Sequence, residues 1–385
     1  MHCAQADAKC GMRRIDIPAE AYLLHGLRFS GYIETLTAAL ANGYTIGGVG
    51  NNTIYQRPQI TDDLALEQDY YQIFTDFYEH GGDLALSEPD ELWDLLSRVQ
   101  EFYNHIDLLH RADKIERWNN IWKLLVDYHY FTDNKVPELT LVSKDGSPMW
   151  RVRCRRKKLY RWSSREFVKS LNVAVCPYCN INPLPMDTIK KGHKVYHMRP
   201  DMDHYFDKGR YPFLSLNIYN FIPACDICNR RIKEAREIDY SLMAHPYVDD
   251  VHEQVVVKAD EKVIDNPYMC NADDKWLTKE SRCDMEKASR GLKWIDFFGI
   301  MDLCRSINNK NRILSSIINA TTKESLHRVY SKQYGGAMPE EQFQKLSYGC
   351  SLDPDNINKW PLSKITIDIV AQVEKRKQLG RDVRS

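Results

Sequence analysis

Two Cys-x-x-Cys pairs constrain this chain more than any other feature: Cys176-Pro177-Tyr178-Cys179 and Cys225-Asp226-Ile227-Cys228. Four cysteines so arranged can close a tetrahedral zinc site. The 45 residues between the pairs exceed a usual zinc-ribbon spacing. That gap must hold its own small structure, with the metal clamping both ends. The alternatives are four free thiols or a redox pair, and a redox Cys-x-x-Cys belongs beside a βαβ pattern. No such pattern is read here.

Charge is distributed unevenly around this window. The 385-residue chain has a net charge of zero. Residues 1–150 carry 12 Lys+Arg against 23 Asp+Glu, whereas residues 151–236 carry 19 against 7. A local basic patch attracts phosphate even on a neutral protein. At 43% hydrophobic, the chain can build two or three cores. We read an α+β chain in three parts: an acidic, mainly helical region over 1–150 that could bind a partner, a basic zinc-stapled core over 151–250, and a helical region over 251–385. The start of the sequence shows no apolar signal core, and no run of 18 apolar residues occurs. With 11 cysteines and no such signals, a reducing, cytoplasmic setting is expected, with the remaining seven cysteines as free thiols.

Periodicity predicts helices over 62–82 and 88–130, with Pro89 at the start of the second. Residues 15–44 read as a mixed segment, and 45–61 as a glycine-rich loop without the Lys-Ser/Thr of a phosphate loop. Residues 139–152 read as a β-hairpin around Asp145-Gly146. Its second strand runs into Arg155, Arg156 and Lys157, a phosphate-contacting strand or a solvated charged face. Ser163 and Glu166 predict a capping box before a helix over about 164–172. Trp294 through Ile318 reads as one long amphipathic segment, and 364–378 as a last helix.

Inside the cysteine window, Lys194–Arg199 reads as a strand, Asp201–Phe206 as a second extended piece, and Cys228–Lys233 as the start of a helix. Asp203 offers a hard carboxylate oxygen and Asn229 a carbonyl oxygen, donors suited to Mg²⁺ or Mn²⁺. Adjacent strand residues point opposite ways, so Asp203 and His204 need a bulge, a twist or separate sides of a substrate. Phosphodiester hydrolysis requires a base, a cation and groups that hold phosphate. His204, the Asp203/Asn229 pair, and Lys208, Arg230, Arg231 and Lys233 supply these. Asn220 would orient the imidazole or brace its loop.

The stretch from Cys176 to Lys233 resembles the HNH (ββα-metal) endonuclease family. The likeness rests on Cys176–Cys179, Arg199–Phe206, Lys208, Tyr211-Pro212, Asn220–Cys225, Cys228-Asn229 and Lys233. It implies a ββα-metal core in which His204 is the general base, Asn220 the middle asparagine, and Asp203 and Asn229 the metal ligands. Asn229 stands where other members carry histidine, and Asp207 where many carry proline. His245-Pro246-Tyr247 resembles a segment that follows this core in some bacterial defence nucleases and reads as packing. The cysteine-stapled core with a helical extension also resembles nuclease subunits of Septu- and retron-type anti-phage systems, which implies an ATPase partner. The resulting expectation is a metal-dependent DNA endonuclease. An RNA- or tRNA-cleaving nuclease and a non-catalytic zinc-dependent nucleic-acid-binding module remain the alternatives.

Overall fold

The computed structural model describes residues 13–42, 44–49, 64–109, 112–132, 138–142, 150–153, 162–234, 236–270 and 275–382. It is a mixture of helices and small antiparallel sheets, an α+β chain.

The N-terminal part is built from helices α1 (Ala19–Ala41), α2 (Leu64–Glu79), α3 (Pro89–Leu108), α4 (Ala112–Leu125) and the short α5 (His129–Thr132). Residues 15–44 are thus mostly one long helix rather than a mixed segment. Its inward face alternates apolar with polar groups, including His25, Arg28 and Thr37, so hydropathy alone hides it. Burial is possible because these groups are bonded: Arg28 donates to the carbonyls of Trp162 and Tyr130. Between α2 and α4, Tyr70 stacks on Trp118 at 4.5 Å and its hydroxyl receives Trp122 Nε1–H at 3.1 Å.

Strand β1 (Thr45–Val49), placed in a loop by sequence, pairs antiparallel with β2 (Glu138–Val142), and β2 with β3 (Trp150–Arg153). The expected hairpin is present as β2/β3; its Asp145-Gly146 turn lies outside the described residues, as do Cys3, Cys10, Cys154, Arg155, Arg156 and Lys157. Helix α6 (Ser164–Leu171) follows, but the capping box does not form. Ser163 makes no side-chain cap, and Glu166 instead accepts from Lys169 at 2.8 Å.

Two short ladders lie inside the cysteine window. Strands β4 (Thr188–Lys191) and β5 (Lys194–His197) pair with each other, and β6 (Asp201–His204) pairs with β7 (Phe221–Ala224). A π-helical segment, Ile227–Lys233, completes the window. Beyond it come α7 (Val251–Gln254), β8 (Val255–Ala259), α8 (Glu261–Asp265) and β9 (Leu277–Ser281), with β8 and β9 paired. The rest is α9 (Met285–Phe297), α10 (Ile300–Arg305), α11 (Ile307–Thr321), α12 (Lys323–Tyr334), α13 (Glu340–Tyr348) and α14 (Ser363–Asp382). The segment Trp294–Ile318 is therefore broken rather than continuous. Gly299 adopts φ +58, which a side chain would disfavour, and Ser306 is extended at ψ 145.

The window is gripped from two sides. Phe213, in the loop between β6 and β7, packs on Phe74 at 4.9 Å and Trp122 at 6.0 Å. On the other side, Tyr178 stacks on Phe298 at 4.5 Å, and its carbonyl accepts Trp294 Nε1–H at 3.0 Å. Asn180, held at φ 53, accepts at Oδ1 from the Lys364 amide at 2.9 Å and donates to the Ile357 carbonyl at 2.8 Å. No helix among the described residues is long and apolar enough to cross a membrane.

Candidate functional site

Cys176, Cys179, Cys225 and Cys228 converge so that their sulfurs all lie within 4.8 Å of one another. A tetrahedral zinc with Zn–S bonds of about 2.3 Å needs S···S edges of about 3.8 Å, so the donor set fits such an ion. Backbone amides already face the sulfurs. Cys225 N–H points to Cys176 Sγ and Cys228 N–H to Cys225 Sγ, each at 3.4 Å. Asn182 Nδ2–H reaches Cys225 Sγ at 3.3 Å. Such donors favour the thiolate that a metal requires. The neighbouring thiols of Cys176, Cys179 and Cys228 hold the Cys225 thiol down, while burial pushes Cys176 up. The four cysteines can therefore hold a metal such as zinc.

The knuckles deliver their flanking residues to one place. β7 runs directly into Cys225, and the π-helical segment begins two residues later. Its wider turn, closed by Glu234 N–H to the Asn229 carbonyl at 2.9 Å, puts Asn229 and Lys233 on the side facing β6. The β6/β7 register is regular, with Asp203 opposite Ile222 and His204 opposite Phe221. No bulge separates Asp203 from His204, so their side chains serve opposite sides of the ladder.

On one side, His204 is only 4% exposed. Its Nε2 lies 3.1 Å from the Ser215 carbonyl. A carbonyl only accepts, so the hydrogen is on Nε2 and Nδ1 carries the lone pair. Among the described residues Nδ1 makes no hydrogen bond. Burial, then the Lys208 charge, lowers the imidazole from 6.5 to about 3, so the ring is neutral near pH 7. Tyr128 meets the ring edge-on at 5.7 Å, and the Lys208 ammonium sits 3.6 Å above the Tyr128 ring. Burial lowers the pKa of Lys208 itself.

Asn220 braces rather than touches the imidazole. Its Oδ1 accepts from Phe206 N–H at 2.7 Å, and its Nδ2 donates to the carbonyls of Phe206 and Leu214 at 3.2 and 3.1 Å. This closes the loop that presents the Ser215 carbonyl.

On the other side, Asp203 is not an open ligand. Its Oδ1 accepts from Lys233 Nζ at 3.1 Å, and its Oδ2 from the Tyr178 hydroxyl. Lys233 Nζ also donates to the His204 carbonyl at 2.7 Å. Burial raises the Asp203 pKa, against the pull of Lys233 and Tyr178. Lys233, expected on the phosphate-contacting surface, is corrected: its side chain is 3% exposed, because the Asp203 carboxylate compensates its charge inside the core.

Asn229 hydrogen-bonds to Asp201 rather than to Asp203: its Nδ2–H reaches Asp201 Oδ2 at 3.2 Å. Asp201 also takes the Arg230 guanidinium in a two-pronged contact at 2.7 and 3.0 Å. Arg230 holds the Asp201 carboxyl below the usual range. Both oxygens of Asp203, the expected metal ligand, are already engaged, by the Lys233 ammonium and the Tyr178 hydroxyl. Arg231 stays on the surface, its nearest carboxylate being Asp226 at 3.9 Å.

Sequence reasoning missed Tyr178, Asp201 and Tyr128. Asp201 was detectable, since it lies two residues from Asp203 and so on the same strand face. Tyr178 and Tyr128 carried no signal in one dimension. His245 is buried against Tyr205 at 4.2 Å, which agrees with the packing reading. Comparison of the chain with protein-family models, curated proteins and solved structures returned no match.

Proposed function

We propose that this chain is an endonuclease that hydrolyses DNA phosphodiester bonds, with His204 as the general base and a structural zinc on Cys176, Cys179, Cys225 and Cys228. One observation carries the reading: His204 is fixed by the Ser215 carbonyl in the tautomer that leaves Nδ1 as a proton acceptor, on a ladder stapled by the four cysteines. In the reaction, Nδ1 takes a proton from water as the water oxygen forms a bond to phosphorus. The phosphorus–oxygen bond to the leaving nucleotide then breaks, and the leaving oxygen takes a proton from water. Lys208 supplies positive charge beside the imidazole. A bound phosphate counters that charge, a lesser cause of the lowered imidazole pKa than burial, and so shifts the base upward. Zinc, when bound, would hold the knuckles together through Cys176, Cys179, Cys225 and Cys228.

A role in bacterial anti-phage defence beside an ATPase subunit rests on the likeness of Cys176–Lys233 to such nuclease subunits. One observation favours the second reading, a zinc-dependent binding module without catalysis: Asp203 is already neutralised by Lys233. Incubation of plasmid DNA and, separately, of structured RNA with Mg²⁺, Mn²⁺ or EDTA tests both readings. Cleavage of plasmid is expected. Cleavage of RNA alone would replace the substrate, and binding to either without cleavage would support the module.

A further inference from the structure

Among the described residues, the β4/β5 hairpin has no packing explanation. All eight strand residues are exposed on both faces, including Ile189 at 51% and Tyr196 at 50%. A free two-stranded ribbon is marginal in water. Here the turn is well specified: Gly192 has φ +60 and His193 a negative φ, the pattern of a type II′ turn between two strands. The base is anchored as well. Arg165 donates to Thr188 Oγ1 at 2.9 Å, and the Met198 amide to the Asp187 carbonyl at 2.9 Å. A hairpin held at both ends and bare in the middle is built to meet something else.

Its chemistry identifies what. From Thr188 to Arg199 the segment carries Lys190, Lys191, Lys194 and Arg199, two histidines and no acidic residue. Directly opposed residues share a face. Ile189 and Tyr196 therefore lie on one face with Lys191 and Lys194, and Lys190 with Val195 on the other. Cations on both faces suit a ribbon flanked by two phosphate backbones rather than one lying flat on a surface. Paired strands about 4.8 Å apart, plus side chains, match a major groove about 12 Å wide and 8.5 Å deep. His204 lies seven positions after His197, at most about 25 Å of chain, so duplex held by the ribbon lies within reach of the base.

We propose that the hairpin Thr188–His197 is a groove-inserting ribbon that docks duplex DNA onto the His204 site; this rests on the nuclease reading above. The test measures binding of zinc-loaded protein to a short fluorescent DNA duplex by anisotropy across a salt series, for the wild type, Lys190→Glu/Lys191→Glu/Lys194→Glu, and the milder triple Gln variant. Zinc content and melting temperature show that the variants fold. The charge reversal should weaken binding at least about tenfold and flatten the salt slope by about 2 to 3, with the Gln variant between. Equal affinity and slope in wild type and reversal would overturn the ribbon and leave the nuclease reading standing. No binding by the wild type to DNA or RNA would overturn both. Reversal-sensitive binding to RNA but not to duplex DNA would overturn the DNA assignment.

Discussion

β4/β5 and β6/β7 are neighbouring ladders of the same length, joined by only three residues, yet their surroundings are opposite. Every β7 residue is buried, as are Asp203 and His204 of β6, whereas no residue of β4 or β5 is. The Tyr247 hydroxyl donates to the Phe221 carbonyl at 2.6 Å, and the Ser215 carbonyl and Lys233 ammonium hold His204 and Asp203. β4/β5 has its turn and its anchored base. Tertiary packing, not the ladder, fixes the inner pair to a single geometry. The outer pair leaves its side chains exposed. Position within the fold, rather than strand propensity, separates a ladder that can hold a reacting group from one that can read a surface.

Removing the clamp should affect the inner ladder most. Cys225→Ser should lose metal and fold together, since structural zinc contributes about 10 kcal/mol or more in small zinc peptides. Metal analysis beside circular dichroism checks this, and a folded variant with full zinc would refute the four-cysteine site. Next in size, Lys233→Met strands the buried Asp203 carboxylate and should cost about 3 to 5 kcal/mol in denaturant titration. A loss below about 1 kcal/mol would mean that the pair is not what holds β6 to the π-helical segment.

Acid should also loosen the inner ladder first. His25 Nε2–H donates to the Leu216 carbonyl at 2.7 Å, and Nδ1 accepts from Trp162 at 3.3 Å, which needs a neutral ring. Burial lowers His25 from 6.5 to about 3. Between those values the unfolded chain binds a proton that the folded chain does not, so stability rises with pH. It is complete above about 6.5 and lost as pH falls towards 3, by up to about 1.4 kcal/mol per pH unit for this one group. His25→Gln should be less stable at pH 7 but should flatten the fall. An unchanged pH profile would contradict the neutral, doubly bonded ring. Smallest of all, the Lys190/Lys191/Lys194 reversal should change stability by no more than about 0.5 kcal/mol. A larger change would show that the outer ladder packs on something.

The inner site was legible from the sequence where chemistry is local. Paired cysteines, the Asp203-His204 dipeptide and the asparagine after Cys228 lie in short motifs. What they touch was not. The partners of Asp203 are Tyr178 and Lys233, 25 and 30 residues away, and a buried lysine looks the same in sequence as a solvated one. Helix α1 was hidden because its buried face includes His25 and Arg28, whose partners all lie 102 or more residues away. β4 was overlooked because Thr188-Ile189-Lys190-Lys191 holds a single apolar residue, whereas β5 offers the β-formers Val195 and Tyr196.

The most direct test of His204 as the base is a single-turnover cleavage measurement on saturating plasmid DNA, wild type beside His204→Ala, with binding and zinc content measured on the same samples. The expected result is cleavage by the wild type and a loss of at least about 100-fold in the variant, with binding and zinc retained. Cleavage by pure His204→Ala at the wild-type rate would contradict it.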